Sequence, residues 1–155
     1  MRSKRQRIRI RDDTVRRSKR KVEKSYIKNA KHQTIDGIEF KSNLEAFCYQ
    51  SLKDENLIFQ YEPTSYVLIP PFEHDGQKVR AAKYKPDFVG PSFELNETRW
   101  IIETKGFETD AFKLRWKLFK KYLYDNNLDI KLYLPRNKVQ VKETIELIKQ
   151  LMNDN

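Results

Sequence analysis

Three residues of this chain could do acid–base or metal chemistry together: Asp87 in KYKPDFVG, and Glu103 and Lys105 in WIIETKGF. The second stretch, residues 100–107, is an apolar run that reads as a buried strand, yet it carries an acid and a base two residues apart and then a glycine. Strand side chains alternate between faces, so Ile101, Glu103 and Lys105 point one way and Trp100, Ile102 and Thr104 the other. Asp87 follows Pro86, whose missing N–H suits a strand start or an edge. If the two strands are neighbours, Asp87 and Glu103 approach each other near the end of the sheet. Two carboxylates about 4 Å apart repel by about 4 kcal/mol at an effective dielectric near 20. Either one keeps its proton or a cation sits between them. Lys105 supplies one charge for two acids, whereas a divalent ion matches both, and hard oxygen donors without histidine or thiolate favour Mg²⁺ or Mn²⁺ over zinc. Such an ion polarises a phosphate oxygen and lowers the pKa of a bound water, while Lys105 holds or deprotonates that water and steadies the growing negative charge. The same spacing also describes an ordinary cross-strand salt bridge, and on these residues alone both readings stand.

Other polar residues lie nearby in the chain. Gly106 permits a turn out of the strand and lets a phosphate approach the backbone. Lys83 and Lys85 alternate with Tyr84 on the strand carrying Asp87, either contacting phosphates or simply solvated. Lys113 and Lys117, four residues apart on an expected helix, could track a nucleic-acid backbone. Tyr61 and Glu62 are site-proximal or structural, and stand outside the catalytic set.

The elements that must position these groups follow from pattern. IDGIEF, residues 35–40, reads as a tight hairpin about Asp-Gly. Ser42 with Glu45 three residues on has the pattern of a capping box, and Leu44, Phe47, Cys48 and Leu52 recur at helical spacing, predicting a helix over residues 42–54. LIFQYEP and SYVLIPP read as strands, EHDGQK as a polar turn, KYKPDFVG as one strand ended by Gly90 and Pro91, and RWIIETKGF as the next. Thr109 or Asp110 caps a helix over residues 111–125, with Ala111, Leu114, Leu118 and Tyr122 facing the core, flanked by Phe112, Trp116, Phe119 and Leu123. Lys113, Lys117, Lys120 and Lys121 fall outside that stripe. DIKLYLP is a short strand and residues 139–152 a final amphipathic helix. This order predicts an α/β fold with a mixed central sheet flanked by helices.

The chain has 155 residues, one domain's worth, with 32 Lys/Arg against 22 Asp/Glu and a net charge of +10. Residues 1–33 hold 14 Lys/Arg and 3 acids, a net +11, leaving 18 against 19, a net −1, for residues 34–155. The division is therefore a basic N-terminal arm, residues 1–33, and a domain over residues 34–155. Clustered cations gain by releasing counterions from a polyanion, which points to nucleic acid as partner, with Arg16, Arg17, Lys19 and Arg20 the arm's DNA-binding candidates; a solvated tail is the plainer alternative. Residues 14–31 could become helical on a partner. The apolar face of that segment is too thin for membrane insertion, no apolar run reaches the roughly 20 residues of a span, and the basic N-terminus lacks a signal peptide's apolar segment. Cys48 is the only cysteine, which excludes an internal disulfide and, with the rest, leads to the expectation of a cytoplasmic protein, host-cell cytoplasm if phage-encoded. His32 and His74 are too few and too separated for a histidine metal site or triad.

PDF followed by ETKG resembles the signature of the PD-(D/E)XK nuclease superfamily. More narrowly, FKSNLEA, FQYEPTSYVLIPP, YKPDF and IETKGF, in this order, look like phage-type members such as phage endonuclease I, a Holliday-junction resolvase. The resemblance covers about residues 35–134. It implies a restriction-endonuclease-like core and a Mg²⁺- or Mn²⁺-dependent endodeoxyribonuclease in which Asp87, Glu103, Lys105 and Glu45 are catalytic. It further implies that Asp87, Glu103, Glu45 and the backbone carbonyl of Thr104 bind metal, with Glu45 brought in from the first helix. The loop between YVLIPP and YKPDF is longer and more charged than in the resolvase. A junction substrate needs paired cuts and hence a homodimer; linear duplex or single-stranded DNA does not, and a larger complex could supply targeting. The rival from another class is a nucleic-acid-binding module without catalysis, its acids in salt bridges; a factor whose arm meets an acidic protein also fits the charge pattern.

Overall fold

The computed structural model describes residues 33–91 and 99–153. The arm, with Arg16, Arg17, Lys19, Arg20 and the expected helical segment at 14–31, lies outside the described residues, as does His32. The described chain runs β1 Gln33–Ile35, β2 Ile38–Phe40, α1 Asn43–Asp54, β3 Gln60–Tyr61, β4 Tyr66–Ile69, β5 Phe72–His74, β6 Gln77–Val79, β7 Ala82–Tyr84, β8 Phe88–Gly90, β9 Arg99–Ile102, α2 Asp110–Asp125, β10 Ile130–Tyr133 and α3 Lys138–Asn153. This is a mixed α/β fold. No described helix is long and apolar enough to cross a membrane.

Two Asp-Gly pairs close two hairpins. Asp36 and Gly37 have φ of 52° and 78° between β1 and β2, and Asp75 and Gly76 have 50° and 71° between β5 and β6. Those left-handed pairs match the twist of the flanking strands. The first hairpin is the expected one; the second makes a paired ribbon of what its sequence suggests is only a polar turn.

The central sheet has the order β10-β9-β8-β3, with β9 and β10 parallel and β8 antiparallel to both β9 and β3. A parallel neighbour requires a crossover, which α2 supplies. Alternation then assigns the faces. Phe88, Trp100 and Ile102 pack with Phe40, Cys48, Leu52, Val141, Ile145 and Ile148 beneath α1 and α3, while Val89 and Ile101 pack with Tyr84, Phe112, Trp116, Phe119 and Leu123 beneath α2. Burying each of these large apolar side chains contributes about 1.5–3 kcal/mol.

Three expectations are corrected. KYKPDFVG is not one strand: β7 pairs with β4, β8 lies in the central sheet, and residues 85–87 connect them. Proline lacks the donor a continuous ladder needs, so the chain breaks at Pro86 and switches sheets. The buried stripe of α2 is Phe112, Trp116, Phe119 and Leu123, whereas Ala111 and Leu114 are exposed and Leu118 and Tyr122 half-buried. The larger aromatic rings take the core side because they remove more apolar area from water. On α1 the buried set is Ala46, Cys48, Tyr49 and Leu52, with Leu44 and Phe47 at its margin. Both N-caps behave as read: Ser42 Oγ accepts the Glu45 N–H at 3.2 Å, and Thr109 Oγ1 accepts the Phe112 N–H at 3.1 Å.

Gly90 marks the tightest point of the sheet. A Cβ there would lie 2.5 Å from the Trp100 ring and 2.6 Å from the Ile58 carbonyl oxygen. Gly90→Ala is therefore expected to destabilise the fold by about 1–3 kcal/mol, as overpacking does; urea unfolding that finds the variant as stable as the parent would show that the strand can shift aside.

Candidate active site

The site is built at the point where the central sheet stops. The β8–β9 register pairs Phe88 with Ile102, so one step further sets Asp87 opposite Glu103. Beyond β9 the parallel pairing with the β10 side persists: the Glu103 N–H donates to the Tyr133 carbonyl at 3.0 Å and the Lys105 N–H to the Pro135 carbonyl at 3.1 Å. Glu103 and Lys105 therefore keep strand alternation and share the α2 face with Ile101. Their charged groups are 3.9 Å apart. Lys105 Nζ also lies 4.9 Å from the centre of the Phe112 ring, a cation–π contact at the first turn of α2.

Thr104 points the other way and does a different job. Its N–H would face Pro86 in a continued ladder; instead both the N–H and the Oγ1 hydroxyl donate to Asp87 Oδ2 at 2.8 Å. On the opposite side, the Asp87 carbonyl accepts the Glu62 N–H at 2.8 Å. Asp87 is thus pinned from both neighbouring strands. Glu103, 6% exposed, accepts the Tyr84 hydroxyl at 2.7 Å. Tyr84 is itself buried, stacked on Phe119 with ring centres 4.3 Å apart. Glu45, 8% exposed, reaches the site from the first turn of α1. Its carboxylate accepts the Ser42 hydroxyl at 3.1 Å, the Lys41 N–H at 3.3 Å and the Tyr61 hydroxyl at 3.1 Å.

These acids are charge-starved. Burial, then the negative charges of Glu103 and Glu45, push Asp87 up to about 8, against the opposing pull of the two Thr104 donors. Burial also raises Glu103, with Glu45 adding to it, although the Tyr84 hydroxyl, Lys105 and the Asp87 backbone N–H pull it down. Burial, followed by the Glu103 charge, drives the Tyr84 phenol far above its usual range, so it remains a donor.

Asp87, Glu103, Lys105, Glu45 and Thr104 are therefore brought together. Lys83 is not: it is exposed and alternates with Tyr84, which puts it on the far side of β7 from the acids. Lys85 pairs with Glu62 at 2.8 Å, beside the cluster. Lys113 is exposed, 3.4 Å from Asp110, and with Lys105, Gly106, Phe107, Glu108 and Arg136 lines a cleft of about 370 Å³. Lys117 is exposed one turn further along α2. A larger cleft of about 740 Å³ lies along α1 away from the acids, lined by Gln33, Ile35, Asn43, Ala46, Phe47, Gln50 and Lys138. Among the described residues its one charged lining group is Lys138, and no acid lines it.

Among the described residues no three His, Cys, Asp or Glu side chains stand together in a metal-holding arrangement. The donor chemistry nevertheless suits a hard dication, since Asp87, half-buried, and Glu103, buried, are opposed and short of positive charge; Glu45 is committed to its cap and to Tyr61. Sequence reasoning missed Tyr84, Lys41 and the engagement of Tyr61 and Glu62. The signal for Tyr84 was a polar-tipped aromatic beside the Pro-Asp step; nothing local signals that Lys41 meets Glu62, which is 21 residues away.

The raised Asp87 has a definite sign for stability. The folded chain holds this carboxyl well above its unfolded value, up to about 8, so the contribution of Asp87 to stability is fully present below the unfolded value near 4 and is lost as pH rises through the folded one. Asp87→Asn removes that loss. In metal-free buffer its stability relative to the parent should climb from pH 5 to pH 8, by on the order of 1 kcal/mol or more; chemical denaturation at a series of pH values that shows parallel curves would remove the charge-starved carboxyl.

No curated protein and no solved structure matches the chain. A family model does: the family described as protein of unknown function (DUF1064) matches residues 24–138. That span runs from the last part of the basic arm through α1, every strand and α2, and it contains Glu45, Asp87, Glu103, Thr104 and Lys105. Matched over well more than half its length, the chain belongs to the DUF1064 family.

Proposed function

We propose that this protein is a metal-dependent DNA endonuclease of the PD-(D/E)XK superfamily, with a restriction-endonuclease-like core. The observation that carries the reading is the opposition of Asp87 and Glu103 at the sheet's open end, with Lys105 following on the same face. A buried and a half-buried acid with a net deficit of positive charge are costly unless something binds there. Asp87 and Glu103 would hold Mg²⁺ or Mn²⁺, with the Thr104 carbonyl and Glu45 as further oxygen donors. When bound, the ion supplies the positive charge both acids need, a polarised phosphate and an acidified water.

The chain's own groups do the rest. Lys105 orients the attacking water and offsets negative charge as it grows on the phosphate. The Phe112 ring limits where that ammonium can go. Thr104 fixes the Asp87 carboxylate and Tyr84 fixes that of Glu103, so neither acid has to reorganise during the reaction. Lys113, Lys117 and the arm residues Arg16, Arg17, Lys19 and Arg20 would position the phosphate backbone. The substrate is DNA, branched if two copies act as a homodimer, linear if one copy suffices.

A second reading, a nucleic-acid-binding module without catalysis, is favoured by the full engagement of Glu45 in its cap and by the Lys105–Glu103 ion pair.

Purified protein incubated with four-way and linear DNA should cut only with Mg²⁺ or Mn²⁺, and Asp87→Asn, Glu103→Gln and Lys105→Ala should each slow cutting by about a hundredfold or more. Cutting that survives those changes rejects the assignment; binding with no cutting in any metal selects the second reading; equal cutting of both substrates removes the branched one. Since Asp87 must lose its proton to bind an ion, Mg²⁺ should raise the unfolding temperature more at pH 8 than at pH 6. A shift that does not grow with pH places the ion elsewhere.

A further inference from the structure

Glu62 leaves β3 with a left-handed backbone, φ 43°, a conformation that non-glycine residues adopt only when their surroundings hold them there. What holds it is plain. Its N–H is fixed to the Asp87 carbonyl, and its carboxylate bridges two ammonium groups, Oε1 to Lys41 Nζ at 2.5 Å and Oε2 to Lys85 Nζ at 2.8 Å. The acid side chain is 19% exposed, whereas the lysines are 67% and 45% exposed. The lysines therefore reach in from solvent to meet an inner carboxylate. Each member is tied to a candidate catalytic acid: Glu62 to Asp87 through the backbone, Lys41 to Glu45 through its own N–H at 3.3 Å, and Lys85 by standing two residues before Asp87.

A phosphodiester offers two charged oxygens at nearly the spacing of a carboxylate's, and lysine binds phosphate as a mobile point charge. We propose that Lys41 and Lys85 form a cradle for a backbone phosphate of the bound nucleic-acid strand, next to the cleaved one, and that Glu62 fills this cradle in the free protein. The inference rests on the endonuclease reading for its ligand. The Glu62 carboxylate, ion-paired to both lysines, is the competing anion. DNA must displace it, which weakens binding to phosphates that the neighbouring acids and their ion do not also engage.

The test is fluorescence anisotropy with a labelled duplex and full-length protein in EDTA, over a range of KCl. Glu62→Gln should bind about three- to tenfold more tightly at low salt and steepen the salt dependence by about one to two phosphate contacts. Adding Lys41→Ala to Glu62→Gln should return the affinity to within about twofold of the parent. A Glu62→Gln protein that melts like the parent and binds no better overturns the cradle. One that gains affinity for inorganic phosphate but not for DNA overturns the assignment to a nucleic-acid strand. Should Glu62→Gln fail to fold, Lys41→Gln and Lys85→Gln decide: each should weaken binding about two- to fivefold, and no weakening in either overturns the proposal. Metal-dependent cutting by the parent without the Glu62→Gln gain removes the cradle alone; the gain without cutting removes the endonuclease reading alone; absence of DNA binding in every variant removes both.

Discussion

Like charges held apart from water organise this molecule. One step beyond the last β8–β9 pair, Phe88 with Ile102, Asp87 lies opposite Glu103, and Glu45 adds a third carboxylate from α1. Burial raises both Asp87 and Glu103, the neighbouring acids add to it, and the Tyr84 hydroxyl with Lys105 pulls Glu103 back down. A fold selected for stability alone would place an apolar pair there, since buried charges seldom repay their desolvation. The energetic cost is borne by the two aromatic-rich cores above and below the sheet.

Those cores also explain why the acids cannot relax. Tyr84 is clamped between Phe119 and Trp116 while its hydroxyl holds Glu103. Where the ladder stops, the Thr104 N–H and hydroxyl both donate to the Asp87 carboxylate and hold it. The break in the strand and the fixing of the acid occur at one place: Pro86 cannot donate to the neighbouring strand, the pairing ends there, and the next residue, Asp87, is held by Thr104 instead. On the solvent side, the Lys41–Glu62–Lys85 group closes a second tier of charge around the first. Inner acids and outer lysines lie side by side, and that juxtaposition is the common thread of the function and the cradle proposed above.

Much of this was legible beforehand for physical reasons that act locally. Asp36-Gly37 takes left-handed dihedrals with little steric cost, and Ser42 and Thr109 accept helix N–H groups from within three residues. Strand alternation places Glu103 and Lys105 on one face without any knowledge of neighbours. Where competing apolar residues share a helix, pattern alone was a poor guide: Leu114 and Phe112 are both plausible core positions of α2, and only the wall formed by Tyr84, Val89 and Ile101 selects the ring. The β7–β8 split was missed because Pro86 is equally compatible with an edge and with a change of sheet.

The sequence by itself determined the three helices, the first hairpin, the caps, the alternation and the residue types available for chemistry, because each depends on contacts within a few residues. The tertiary structure decided who meets whom. It set Asp87 opposite Glu103, turned Tyr84 rather than Lys83 toward the acids, committed Glu45 to Tyr61 as well as to its cap, and closed Lys41 on Glu62. Those pairings join residues 16 to 21 apart through strand register and packing, which no local propensity encodes.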